Sequence, residues 1–168
     1  SFIPKGEKGQ DPLASKRRGG LSKKIMVDAE PTWVTAYHKP TLPHQDEYVF
    51  DMILSLLCRG SSSRLEDRII FREKIAKSVS CASSYPGIRL SNLFFIWVEP
   101  INGVKGLQIE RSLNHELRRL QQEPVTEEEL QRVRRQEAAH FVYALESNMG
   151  LAQGLALYET VFDDWELI

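Results

Sequence analysis

Short runs of apolar and β-branched residues alternate with polar ones along the first hundred positions, a pattern typical of strands. Residues 23–27 and 32–38 are predicted strands, the second because it is rich in β-branched and aromatic side chains. Residues 76–84 alternate well enough for a third strand. Residues 92–98 are almost continuously apolar, which predicts a strand at the centre of its sheet.

Between these strands the apolar spacing changes to that of helices. From about Gln45, apolar residues recur three or four positions apart, and Gly60 is the expected residue just beyond the helix end. A second, shorter helix is predicted over 64–73, behind a run of serines that can cap it.

The last third of the chain is helical in pattern throughout. One helix carries its apolar stripe through 113–120. The next opens at Thr126, which forms a predicted capping box with Glu129. An interruption is expected at 148–150, and residues 151–162 are predicted to resume as helix.

The resulting order, β-β-α-α-β-β-α-α-α, is not the strict alternation of a parallel fold. It predicts an α+β two-layer sandwich, with an antiparallel-rich sheet and helices packed on one face. Residues 1–22 are rich in glycine and lack apolar periodicity, so we expect a flexible linker there and one domain over 23–168.

Composition argues against several classes of function. The formal net charge is −1, so no overall field draws the chain to nucleic acid or to anionic membranes. No apolar run approaches the ~20 residues that a membrane-spanning helix needs. Two cysteines are too few for a disulfide framework or a four-thiolate zinc site.

Cys58 and Cys81 lie in a predicted helix and a predicted strand. They can pair only if the fold brings the two elements together. The favoured prediction is that both are small buried apolar residues.

No pattern of residues supplies an active site. The chain contains no Gly-x-Ser-x-Gly elbow and no phosphate-binding glycine loop. Its four histidines are far apart, and none has a second histidine at the spacing of a zinc motif.

Five strings in consistent order nevertheless resemble the pitrilysin and mitochondrial-processing-peptidase family of zinc peptidases. They are AYHKP (36–40), LLCRGSSSRL (56–65), AKSVS (76–80), PVTEEEL (124–130) and LESNMGLA (145–152). The resemblance covers about 23–165. It implies one of two similar halves that close around a peptide, the first half carrying zinc in H-x-x-E-H plus a downstream Glu. This chain is similar to the second, degenerate half.

The resemblance also points to individual positions. Asp51, Leu54 and Ser55 fall where the zinc motif has His, Glu and His, so zinc catalysis by this half is not expected. Many second halves carry an Arg and a Tyr that contact the substrate. Ile70 and Lys77 fall at those two positions, and Arg72 lies close by. Lys77 and Arg72 are therefore candidate substrate-binding residues.

The implied function is a non-catalytic wall or lid of a peptide chamber, without a cofactor of its own. Zinc is then expected in an N-terminal half or a partner subunit. The alternative is a catalytically dead family member that acts as a structural assembly subunit, and a nucleic-acid-binding module ranks third. The sequence carries no readable targeting signal, so the location stays unknown; a bacterial periplasm or cell envelope is a guess only.

The chain starts without Met and stops at Ile168, where family members continue. We therefore expect a piece of a longer protein, truncated at its C-terminal end. An incomplete sheet or helix face predicts association with a partner or with a copy of itself.

Overall fold

A computed structural model describes residues 20, 22–26, 28–40, 44–85, 87 and 92–168. Of the predicted linker, only Gly20 and Ser22 are described, and both are exposed. The regular elements, in chain order, are β1 (Trp33–Lys39), α1 (Asp46–Cys58), a π-helix (Glu66–Arg72), β2 (Ala76–Tyr85), β3 (Asn92–Pro100), α2 (Gly106–Gln122), α3 (Glu127–Leu145), α4 (Asn148–Phe162) and a final 3-10 turn (Trp165–Leu167).

The three strands form one antiparallel sheet in the order β1-β3-β2. The apolar strand β3 is therefore central, as its composition predicts. Its alternate residues Phe94, Ile96 and Val98 are buried, and Phe95 and Trp97 on the opposite face are half-buried and stacked.

The hydrophobic core lies between the sheet and the helices. Residues from α1, the π-helix and α2 pack onto the buried face of β3, and the fully buried members include Leu57, Leu65, Ile69, Ile96, Val98 and Ile109. The predicted α+β architecture is confirmed.

The predicted strand over 23–27 is wrong for the residues that the structure describes there. Residues 22–26 have no regular structure, and the side chains of Ile25 and Met26 are 70% and 80% exposed. A strand is stabilised by pairing with a neighbour, and within the described residues the sheet has only three strands. The local pattern therefore had no partner to pair with.

The helix predicted over 64–73 is helical, but most of it is a π-helix rather than an α-helix. The Glu73 amide donates to the Arg68 carbonyl at 2.8 Å, five residues back. This wider turn places Ile69 in the core, while Arg68 reaches Glu73 at 2.8 Å and the buried Glu116 of α2 at 3.1 Å.

Two helix ends follow their predicted signals, at Gly60 and Thr126, but the serine cap predicted for the helix over 64–73 is wrong, because among the described residues no side-chain hydrogen bond caps that helix. Gly60 lies just beyond α1 with φ +85°, a conformation that glycine adopts without strain. Thr126 and Glu129 form the predicted capping box of α3. The predicted interruption also exists, but it falls earlier: α3 ends at Leu145, and Ser147 caps α4.

The favoured prediction for the two cysteines is wrong, because Cys58 and Cys81 form a disulfide. The C-terminal end of α1 packs against β2, which brings the two Cα atoms to 5.8 Å. That separation is within the range of disulfide-linked residues. The bond ties the helix to the edge of the sheet.

Arg64 and Glu129 link the segment after α1 to the start of α3. The Arg64 guanidinium donates through Nε and Nη2 to the two carboxylate oxygens of Glu129, both at 2.8 Å. These bonds, followed by the backbone bond at Thr126, lower the pKa of Glu129 to about 2 despite its partial burial.

This depressed pKa predicts a specific loss of stability in acid. A carboxylate with a lowered folded-state pKa stabilises the fold above its unfolded pKa of ~4.3 and loses that contribution as the pH falls toward 2. The shift corresponds to ~3 kcal/mol, which partial exposure reduces to about 1–2 kcal/mol. We expect Glu129→Gln, which keeps the capping box, to remove this contribution to the acid-induced decrease in the free energy of unfolding. Urea denaturation between pH 6 and 2 measures the decrease. Glu127→Gln, in the same exposed turn, should retain it, and equal pH profiles for the two variants would contradict the assignment.

Candidate functional site

Polar residues follow one stripe of α1 at every fourth position. Glu47, Asp51 and Ser55 share this stripe, which faces β2 and α3. Such spacing places side chains on the same side of a helix. The stripe contains two of the three positions that the family resemblance assigns to the zinc motif.

Each of these three zinc-motif positions has a defined environment. The Ser83 hydroxyl of β2 donates to the Asp51 carboxylate. Ser55 is fully buried and donates to the Glu137 carboxylate of α3, which also accepts from Arg59 Nη1 at 2.8 Å. Leu54 packs against the hydrophobic core.

This donor set does not fit zinc. Zn²⁺ in proteins is bound by several His, Cys or carboxylate ligands in tetrahedral geometry. Of the three positions, Asp51 supplies one carboxylate, Leu54 supplies no donor, and the Ser55 hydroxyl is committed to Glu137. Within the described residues, no group of three His, Cys, Asp or Glu side chains is arranged to hold a metal ion.

A buried ion pair lies at the N-terminal end of the same stripe. Lys39, the last residue of β1, donates to Glu47, and both side chains are almost fully buried. Glu47 also accepts from the Ser84 hydroxyl at 2.9 Å, and the Lys39 ammonium lies 5.4 Å from the centroid of the Phe50 ring.

Asp51 differs from its two carboxylate neighbours. Glu47 is paired with Lys39 and Glu137 with Arg59, whereas no Lys or Arg in the described part of the chain forms an ion pair with Asp51. Burial raises the pKa of Asp51. The hydrogen bond from Ser83 and the charge of Lys39 lower this pKa, the charges of Glu47 and Glu137 raise it, and the net change is upward.

A groove of ≈ 630 Å³ opens beside this stripe, between α1, α3 and α4. Its acidic side is formed by Glu47, Asp51 and Glu137. The rest is mostly apolar or aromatic and includes Met52, Phe141, Leu145, Leu157, Tyr158 and Ile168.

The candidate substrate-binding residues lie elsewhere. Ile70 is half-buried beside the core. Arg72 is 76% exposed and pairs with Asp67 at 2.6 Å, while Lys77 on β2 pairs with Glu30 at 3.0 Å. Each of the two cations is thus paired with an acidic residue of the same domain, and their substrate-binding roles remain predictions.

Sequence reasoning did not identify Lys39, Glu47, Ser83 or Glu137 as members of this site. The four-residue spacing of Glu47, Asp51 and Ser55 was the available signal on α1. Nothing in the sequence indicated that Glu137, 82 positions beyond Ser55, packs against that stripe.

Among the described residues, no helix is both long enough and apolar enough to span a bilayer.

The fold matches several solved structures. A protease from Helicobacter pylori superposes with a TM-score of 0.72 at 22% identity, over 82% of this chain and 33% of that protein. The inactive peptidase domain of a candidate zinc protease from Bordetella parapertussis gives a TM-score of 0.70 at 20% identity, over 86% and 78% of the two chains. A candidate zinc protease from Bordetella pertussis gives 0.68 at 21% identity, over 85% and 78%.

This chain therefore spans about a third of the Helicobacter protein. No curated protein matches it in sequence. The family model described as the peptidase M16 inactive domain matches residues 2–137, which is most of the chain. That match extends over β1, α1, β2, β3 and the first half of α3. The chain therefore belongs to the peptidase M16 inactive-domain family.

Proposed function

We propose that this domain is the non-catalytic second half of a zinc-dependent endopeptidase and forms a wall or lid of its peptide-binding chamber. In this arrangement zinc and catalysis reside in an N-terminal half or in a partner subunit. The observation that carries the proposal is that Asp51, Leu54 and Ser55, which the resemblance assigns to the zinc-motif positions, serve internal packing and hydrogen bonding.

The chemistry of peptide hydrolysis explains why a partner is required. A catalytic zinc polarises the carbonyl and activates water, and it needs three protein ligands plus an open position. In this domain the buried Ser55 hydroxyl is engaged in a hydrogen bond to Glu137 and cannot bind a metal. The Leu54 side chain has no group that can act as a base. What the domain can supply is a rigid α+β surface beside the reacting centre.

Reconstitution tests the proposal directly. The 168-residue chain alone should bind less than stoichiometric zinc and should not cleave a quenched fluorescent peptide library. Mixed with the H-x-x-E-H-bearing half of the same protein, it should form a complex whose cleavage is abolished by a chelator. The matched control is the zinc-bearing half with its motif Glu replaced by Gln, which should associate but not cleave. Chelator-sensitive cleavage by the 168-residue chain alone would overturn the proposal.

A second function is favoured by one observation at the substrate-binding positions. Ile70 and Lys77 replace the Arg and Tyr expected of a working second half, and Lys77 is already paired with Glu30. These features suit a catalytically dead assembly subunit. A complex that forms in the same experiment without any chelator-sensitive cleavage would select this alternative.

A further inference from the structure

The groove between α1, α3 and α4 has the size and lining of a binding site. Its volume of ≈ 630 Å³ lies within the ~300–1,000 Å³ of ordinary ligand sites. No residue of α4 is buried, although that helix is largely apolar. Phe141 on α3 is also 46% exposed at the groove. The walls therefore present apolar surface that is not covered within the described part of the chain.

The charge of the groove defines what can occupy it. Two of the three carboxylates that line it, Glu47 and Glu137, are neutralised by Lys39 and Arg59. Among the described residues, the Ser83 hydroxyl is the hydrogen-bonding partner of Asp51. Beside its apolar walls the groove thus offers one partly buried carboxylate that no described Lys or Arg pairs with. A cation placed there gains an ion pair in surroundings that are partly shielded from water.

We propose that this groove binds a peptide segment of another protein in which one Lys or Arg side chain is flanked by apolar residues. The basic group pairs with Asp51, and the flanking side chains pack on the apolar walls of α3 and α4. The ammonium or guanidinium then lies beside the polar stripe of α1, where the family resemblance places the zinc motif. This inference goes beyond the proposed function, because it requires neither a zinc-bearing half nor cleavage.

A pair of matched peptides tests the charge requirement. The probes are fluorescein-labelled Leu-Phe-Lys-Leu-Leu amide and the same peptide with norleucine in place of Lys, which keeps the aliphatic chain and removes the charge. Fluorescence polarisation with the 168-residue chain should show about tenfold tighter binding of the Lys peptide, the range of a hydrogen bond to a charged group. Equal affinities, or binding of neither peptide, would overturn the proposal.

Point substitutions in and near the groove test whether the peptide binds there. Asp51→Asn keeps the shape and an acceptor for Ser83 but removes the charge, so it should lose the tenfold preference without a change in melting temperature. Asp46→Asn, on the exposed first turn of the same helix and outside the groove, should keep the preference. Ala144→Phe narrows the groove from α3 and should weaken both peptides. A preference that survives Asp51→Asn would place the peptide elsewhere and overturn the assignment.

The alternative occupant of the groove is a second copy of this chain. Sedimentation at increasing concentration should show a monomer for the wild type and for Ala144→Phe alike. A concentration-dependent dimer that Ala144→Phe dissociates would assign the groove to a second copy of this chain and would likewise overturn the proposal.

Discussion

Lys39→Met is expected to lower the free energy of unfolding by about 3–5 kcal/mol, the cost of leaving one member of a buried ion pair without its partner. The Lys39 side chain is completely buried and that of Glu47 is 5% exposed, so water cannot replace the lost cation. Ser84 alone would then remain to hydrogen-bond the Glu47 carboxylate. Urea denaturation at pH 7, followed by far-ultraviolet circular dichroism, measures the change.

Two further variants separate burial from charge. Lys77→Met removes a lysine from an ion pair at the surface, where Glu30 is 75% exposed, and should change the unfolding free energy by less than about 1 kcal/mol. The double replacement Lys39→Met with Glu47→Leu removes both buried charges and should recover most of the loss. A Lys39→Met variant no less stable than Lys77→Met would show that water reaches the pair.

The second large effect concerns the disulfide. Replacing both Cys58 and Cys81 by Ala should cost about 3 kcal/mol, because the bond closes a loop across a sequence separation of 23 residues and so restricts the unfolded chain. For a chain of this size the melting temperature should fall by roughly 6–12 °C. Thermal unfolding with and without dithiothreitol measures it.

The reductant provides the control for this experiment. Dithiothreitol should lower the melting temperature of the wild type toward that of the double Ala variant, and it should leave the variant itself unchanged. The oxidised wild type should show no thiol reactive to Ellman's reagent under denaturing conditions. Reactive thiols in that sample, or a melting temperature insensitive to reductant, would contradict the pairing.

Local physical signals in the sequence were sufficient for most of the elements. The almost continuous apolar run of β3 indicated a central strand, and the central position is confirmed. The Thr126–Glu129 box and Gly60 marked helix ends, because caps depend on hydrogen bonds and backbone conformations within a few residues. Where a partner was needed, local pattern failed: residues 23–26 have strand composition and no strand to pair with in the described chain.

The same contrast between short-range signals and long-range contacts applies to the candidate site. The family resemblance predicted that Asp51, Leu54 and Ser55 stand at the zinc-motif positions, and that assignment stays a prediction. What those residues do instead depends on Ser83, Glu137 and the other residues that β2 and α3 bring to the stripe.

The sequence alone thus determined three of the four predicted strands, the helices of the described chain and two of their ends, since each depends on residue types at short spacing. Only the tertiary structure decided that Cys58 bonds to Cys81, that Lys39 is buried against Glu47, and that Asp51 lies on a mostly apolar groove where no described Lys or Arg pairs with it. The physical reason is that these features join residues distant along the chain. Their energies depend on burial and on atomic separation, which are established only when the helices pack on the sheet.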